Sequence, residues 1–111
     1  MPLGIGCDIV ANQRLTNKSR AFIEHILVSE EITIYNSLNE AKRLTFLTGR
    51  FAAKEALIKA FNSIKKINFL DICILINEDG SPAPAIKTDE QYQVSIAHEQ
   101  DYTIAYAIVF K

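Results

Sequence analysis

The spacing of apolar and polar positions changes period along this chain. Leu3 to Val10 alternates, with Leu3, Ile5, Cys7 and Ile9 on one face and Gly4, Gly6, Asp8 and Val10 on the other, which predicts a β-strand. From about Asn17 to Leu27 the positions of Phe22, Ile23, Ile26 and Leu27 suit one face of a short helix. Ser29 followed by Glu30 and Glu31 reads as an N-cap with acidic first-turn residues, opening a second helix to about Leu38. Asn39 can cap a third and longest helix, from about Glu40 to Asn62. The period then shortens. Ile67 to Ile76 is rich in Ile, Leu and Phe, and Asp79-Gly80 followed by Pro82 marks a hairpin turn into a short strand around Ala85 to Lys87. Tyr92 to Ala97 and Thr103 to Phe110 predict a second strand pair, joined at Glu99 to Asp101. One strand, three helices and then strands imply an α+β fold with helices packed on an antiparallel sheet.

The longest helix carries the first chemical signal. Its segment GRFAAKEALIKAF, Gly49 to Phe61, is apolar on nearly every side yet holds Glu55 and Lys59 one turn apart. At about 100° per residue, Leu44, Leu47, Phe51, Glu55 and Ile58 share one stripe, so the carboxylate is expected where a core residue belongs. A desolvated carboxylate must be paired, neutralised or bound to a cation. The plainer alternative is an i, i+4 ion pair on a solvated face, worth roughly 0.2–0.5 kcal/mol. Arg43, Arg50 and Lys54 recur along one side of the same helix, and Arg14, Lys18 and Arg20 gather near the N-terminus. Both sets read first as solvated faces and second as anion-binding surfaces.

Asp8 shares its strand face with Gly4 and Gly6. A face without side chains admits close approach, either of a ligand beside Asp8 or of a packed helix. Gly4-Ile5-Gly6 lacks the third glycine and following helix of a dinucleotide fingerprint, which excludes that kind of site.

Composition narrows the classes. The 111 residues suit one domain, residues 1–111, with one modest core. A net charge of −1 and the absence of a basic block argue against nucleic-acid binding. No apolar run approaches the roughly 20 residues of a membrane-spanning helix. The opening MPLGIGCDIV has none of the ordered regions of an export signal, so a cytoplasmic location is expected. Cys7 and Cys73, in separate apolar runs, are expected as buried, reduced thiols.

Asp8 and Glu55 come from different elements and have no histidine cluster or thiolate pair beside them. Hard oxygen donors in small number suit Mg2+, which keeps several waters and shares its shell with substrate phosphates. With Lys59 and Arg50 they would form a clamp for a polyphosphate, pointing to phosphoryl-type transfer. Ser95 and His98 are three residues apart on a strand and face opposite ways, which excludes a Ser-His nucleophile. His98 reads as a hairpin cap or a ligand contact, the structural role first, and His25 as a packing or surface residue.

Three segments, GIGCDIVANQR, GRFAAKEALIKAF and VSIAHEQDYTIAYAIV, resemble in order and spacing the holo-(acyl-carrier-protein) synthases, the short 4′-phosphopantetheinyl transferases. The likeness extends over essentially the whole chain, and the F-x-x-K-E-A-x-x-K-A pattern of Phe51 to Ala60 is specific when G-I-G-x-D-I precedes it. The resemblance implies a Mg2+-dependent transfer of phosphopantetheine from coenzyme A to a serine of acyl carrier protein, in fatty acid biosynthesis, releasing adenosine 3′,5′-bisphosphate. It implies Asp8 and Glu55 as metal ligands and Lys59 as the phosphate-contacting lysine. It also implies Arg50, Pro82, Ser95 and His98 as residues that hold coenzyme A, and Arg14 as a contact to the acidic carrier, with Lys18 and Arg20 steering. Glu55 is the candidate base for the carrier serine. The family is homotrimeric with active sites at subunit boundaries. One departure stands out, because Asn62 to Lys66 contains no glycine where the family usually has a glycine-rich loop. Two other readings are a coenzyme A- or carrier-binding protein without catalysis and a purely structural trimer. Retention of Asp8, Glu55 and Lys59 argues against both.

Overall fold

The computed structural model describes residues Met1 to Lys111. Strand β1 (Pro2–Ala11) leads through a 3-10 turn (Asn12–Leu15) into α1 (Arg20–Ile26), α2 (Ser29–Ser37) and the long α3 (Glu40–Phe61). A second 3-10 turn (Phe69–Asp71) precedes β2 (Ile72–Ile76), β3 (Pro82–Ile86), β4 (Gln91–His98) and β5 (Tyr102–Phe110). The expected α+β class is what forms, with the strands divided between two antiparallel sheets. One has three strands in the order β1-β5-β4, and the other is the β2-β3 hairpin.

Helix α3 is the centre of the molecule because β1 offers it a surface of bare backbone. The glycine face of β1 is the inward one: Gly6 and Val10 are buried, whereas Ile5 and Ile9 are 60% and 61% exposed. A Cβ added at Gly6 would lie 2.0 Å from the Ala56 carbonyl oxygen, and one at Gly4 would lie 2.0 Å from that of Ala60. Of the two occupants open to that face, the helix takes it. Ala52, Ala53, Ala56 and Ala60 are all buried, so small residues on both elements let the backbones meet. Ala105, Ala107 and Val109 of β5 and Leu57 and Phe61 of α3 extend the same core.

Local chemistry moved several boundaries. Helix α1 begins at Arg20, three residues later than expected, because Asn17 adopts a left-handed φ of 56° and the Ser19 hydroxyl accepts from the Phe22 amide. Asn39 caps α3 as expected, accepting from the Lys42 amide at 3.0 Å. Ser29 is inside α2 and does not cap it; the Glu31 carboxylate reaches back to the Val28 amide at 2.9 Å instead. Strand β2 begins at Ile72, since Asp71 closes the preceding turn by accepting from the Asn68 amide. Strand β3 starts at Pro82, earlier than the expected Ala85. In a hairpin of two strands, Pro82 and Pro84 lack amides without breaking a wider sheet.

Two expectations about side chains are corrected. Cys7 is exposed and Cys73 half-buried, both as free thiols, because β1 turns Cys7 to the outer face with Ile5 and Ile9. The basic stripe of α3 is not a solvated face: Arg50 is 7% and Lys54 0% exposed.

Candidate active site

Asp8 and Lys59, 51 residues apart in sequence, meet where β1 crosses α3. Lys59 Nζ lies 3.3 Å from Asp8 Oδ1 and donates to the Cys7 carbonyl at 2.9 Å. Glu55, one turn earlier on α3, is half-buried and not in the core, since of the stripe it shares only Leu47 is fully buried, while Leu44, Phe51 and Ile58 lie half-buried along the margin. Burial raises the pKa of the Glu55 carboxyl, the negative charge of Asp8 raises it further, and Lys59 opposes both. The sequence-predicted triad of Asp8, Glu55 and Lys59 is therefore one electrostatic unit.

The donor set fits a hard divalent cation. It offers two carboxylates with neither thiolate nor imidazole, and their mutual repulsion is of the kind that a bound cation removes. Two protein oxygens leave coordination positions for water and substrate phosphate, as Mg2+ requires.

From about one turn beyond Glu55, which is not itself in the wall, α3 lines a pocket of about 690 Å³ with Ile58 and Asn62. His25 of α1, Lys66 and the turn Phe69–Asp71 complete its wall. The imidazole of His25 packs against Phe69 at a centroid distance of 6.2 Å, so the packing role expected of it coincides with a place at the pocket. Lys66 in the glycine-free loop adds the pocket's cationic group, while Lys65 turns away and donates to the Lys87 carbonyl.

Arg50 and Lys54 point elsewhere. Arg50 donates to the Ile74 carbonyl at 3.1 Å and lies over the Phe46 ring at 3.9 Å. Lys54 is paired with Glu31 at 2.6 Å, both fully buried. Burial lowers the Lys54 pKa while Glu31 acts in the opposite sense. This pair has no periodicity signal of its own, and the sequence reading missed it; the one clue is that Lys54 sits in the mostly apolar stretch of α3.

A second polar group forms across one end of the three-stranded sheet. Asn12 donates through Nδ2 to the Glu99 and Gln100 carbonyls, leaving Oδ1 to accept from the Thr103 hydroxyl at 2.7 Å. With its proton so used, Thr103 Oγ1 accepts from His98 Nδ1 at 3.1 Å. In neutral His98 the free lone pair is then on Nε2, beside Gly49, where a Cβ would approach to 3.2 Å. Partial burial lowers the His98 pKa, and Arg50 lowers it further. These contacts give His98 the structural role expected first. Ser95 faces the opposite side of β4, in register with Tyr106, and Pro82 opens β3. Arg14, Lys18 and Arg20 are all exposed, with Arg20 paired to Glu24. One chain thus brings Asp8, Glu55 and Lys59 together where β1 meets α3, while His98 ends β4 and Arg50, also on α3, reaches β2.

A small α+β protein with paired carboxylates, an adjacent lysine and a pocket beside them has the parts of a phosphoryl-group transferase. Residues 4–107 match the model of the 4′-phosphopantetheinyl transferase superfamily. The chain is 40% identical to a holo-[acyl-carrier-protein] synthase of Geobacillus sp. (strain WCH70), over 98% of this chain and 97% of that one. It is 35% identical to a protein of the same name from Bacillus subtilis (strain 168), over 98% and 96%. A crystal structure of a holo-(acyl-carrier-protein) synthase from Bacillus anthracis str. Ames, in complex with CoA (3',5'-ADP), superposes with a TM-score of 0.92 at 30% identity, covering 100% of this chain and 98% of that one. The synthase of Neisseria meningitidis gives a TM-score of 0.86 at 27% identity, over 100% of both chains. The chain belongs to the holo-(acyl-carrier-protein) synthase family and is a 4′-phosphopantetheinyl transferase enzyme.

Proposed function

We propose that the protein, as a single domain of residues 1–111, transfers 4′-phosphopantetheine from coenzyme A to a serine of apo acyl carrier protein, releasing adenosine 3′,5′-bisphosphate, in cytoplasmic fatty acid biosynthesis. The convergence of Asp8, Glu55 and Lys59 carries this reading. The relatives with this name, and the coenzyme A complex of one of them, support it. The free thiols of Cys7 and Cys73 suit a reducing compartment, and no helix is long and apolar enough to cross a membrane.

Asp8 and Glu55 would hold Mg2+, which when bound supplies positive charge against the phosphates of coenzyme A. In the reaction the serine Oγ forms a bond to the β-phosphorus while the bond from that phosphorus to the bridging oxygen breaks. Negative charge grows on the departing 3′,5′-bisphosphate, and Lys59 is placed to stabilise it. The serine proton must leave, and Glu55, directly or through a water held by the metal, is the candidate base. The pocket beside Glu55 offers apolar walls and Lys66 for the nucleotide donor.

Pro82, Ser95 and His98 would also hold coenzyme A, and Arg50 would join them through the part of its guanidinium that its bond to the Ile74 carbonyl leaves over. A homotrimer with sites at its boundaries would bring such groups of one subunit up to Asp8 of the next. The outer sheet face suits such an interface: Ile5, Ile9, Ile104 and Tyr106 stand 43–61% exposed on β1 and β5. Exposed Arg14, Lys18 and Arg20 would meet the acidic carrier. Incubation with coenzyme A, Mg2+ and apo carrier, followed by intact-mass measurement of the carrier, tests the activity. A carrier of unchanged mass overturns it.

A further inference from the structure

The chemistry above leaves one fully buried ion pair without a task. Lys54 immediately precedes Glu55 on α3, and its ammonium donates to Glu31 Oε1 at 2.6 Å, to the Ile26 carbonyl at 2.8 Å and to the Phe69 carbonyl at 3.2 Å. All three of its protons are used. Glu31 accepts in turn from the Val28 and Ile74 amides at 2.9 and 2.8 Å. One pair thereby binds the end of α1, the start of α2, the Phe69 turn and β2 to the middle of α3.

Three of these elements are walls of the pocket that begins one turn beyond Glu55. His25 neighbours Ile26, Phe69 is itself in the wall, and Ile58 follows Lys54 by four residues and Glu55 by three, on the same helix surface. From another direction the carbonyls of Ala56 and Ala60 are seated on Gly6 and Gly4. Helix α3 is thus prevented from rotating by two separate anchors, and Glu55 stands between them. A buried pair of this kind is weak as a source of stability, since a well-packed apolar pair frequently serves as well, whereas its directed hydrogen bonds do fix geometry.

We propose that Glu31 and Lys54 are positioning residues for the transfer reaction, setting the pocket walls and the rotation of α3 and thereby the affinity for coenzyme A. This rests on the transferase reading proposed above. The test compares wild-type enzyme with the double variant E31Q/K54M, which removes both charges together so that neither is left buried alone, and which takes an acceptor from the Val28 and Ile74 amides and the donor from the Ile26 and Phe69 carbonyls. KM is measured separately for coenzyme A and for apo carrier, with folding monitored by circular dichroism. The folded double variant should show a KM for coenzyme A raised about ten-fold or more and a reduced kcat, with the carrier KM unchanged. A purely structural role would lower the apparent kcat through loss of folded enzyme and leave both KM values alone; that result overturns the inference, as do wild-type kinetics. Should the double variant not fold, E31D keeps the charges and shortens the reach: a raised coenzyme A KM supports the inference, and an unchanged one overturns it. An inactive wild-type protein would instead refute the transferase reading and this inference with it.

Discussion

Lys59 Nζ sits 3.3 Å from Asp8 Oδ1, so the ammonium one turn beyond Glu55 ties α3 to the strand that bears the other carboxylate. The Lys59 side chain is 53% exposed, and such an ion pair adds little to stability. Its expected role is in the transition state. Lys59→Ala should lower kcat by about 10²-fold or more while leaving the Tm within a few degrees of wild type. Turnover measured by carrier mass, alongside thermal melting, checks both parts.

Glu55→Gln should abolish turnover and yet stabilise the metal-free protein. The folded state holds the Glu55 proton to higher pH than the unfolded chain does, so this group's contribution to stability is present at acid pH and lost as pH rises through the raised value. The Tm difference between variant and wild type should therefore grow between pH 4 and 7. Added Mg2+ should raise the wild-type Tm and leave the variant unmoved. A wild-type melt indifferent to Mg2+ would remove these carboxylates as ligands.

His98 titrates in the opposite sense. Its pKa is lowered in the folded state, so the unfolded chain takes up the proton first and stability falls as pH drops through the ordinary histidine value of 6.5 and below. His98→Gln should flatten that part of the stability profile in denaturant titrations at pH 5 to 7.

Gly6→Ala should destabilise the fold by about 1–3 kcal/mol or more, because its Cβ would stand 2.0 Å from a backbone oxygen that no rotamer change can move. The shift would also push β1, and Asp8 with it, away from Glu55. Urea denaturation and Mg2+ affinity measured on the same variant read the two effects.

If each site is shared between subunits, Asp8→Asn and His98→Ala proteins, each impaired alone, should regain activity when refolded together. Random mixing gives about a quarter of the boundaries both intact halves in a closed ring. No recovery on mixing would place all the residues in one chain's site.

The elements and the candidate triad were legible in the sequence largely through local spacing: alternation in β1, the Asn39 cap before α3, and Glu55 and Lys59 one turn apart. Local spacing does not say which face of an amphipathic element is covered. Hydrophobicity would turn Ile5, Cys7 and Ile9 inward, but the absence of side chains at Gly4 and Gly6 lets the backbone of α3 come closer there, and close packing decides the matter.

The same holds for charge. Arg50 and Lys54 look like any solvated basic stripe until Glu31 and the carbonyls of Ile26, Phe69 and Ile74 are brought around them from distant parts of the chain. The sequence by itself determined which residues could do chemistry and on which elements they lie. Only the tertiary structure decided which cations are free to meet a substrate, because desolvation and hydrogen-bond partners are properties of the assembled neighbourhood and not of the residue.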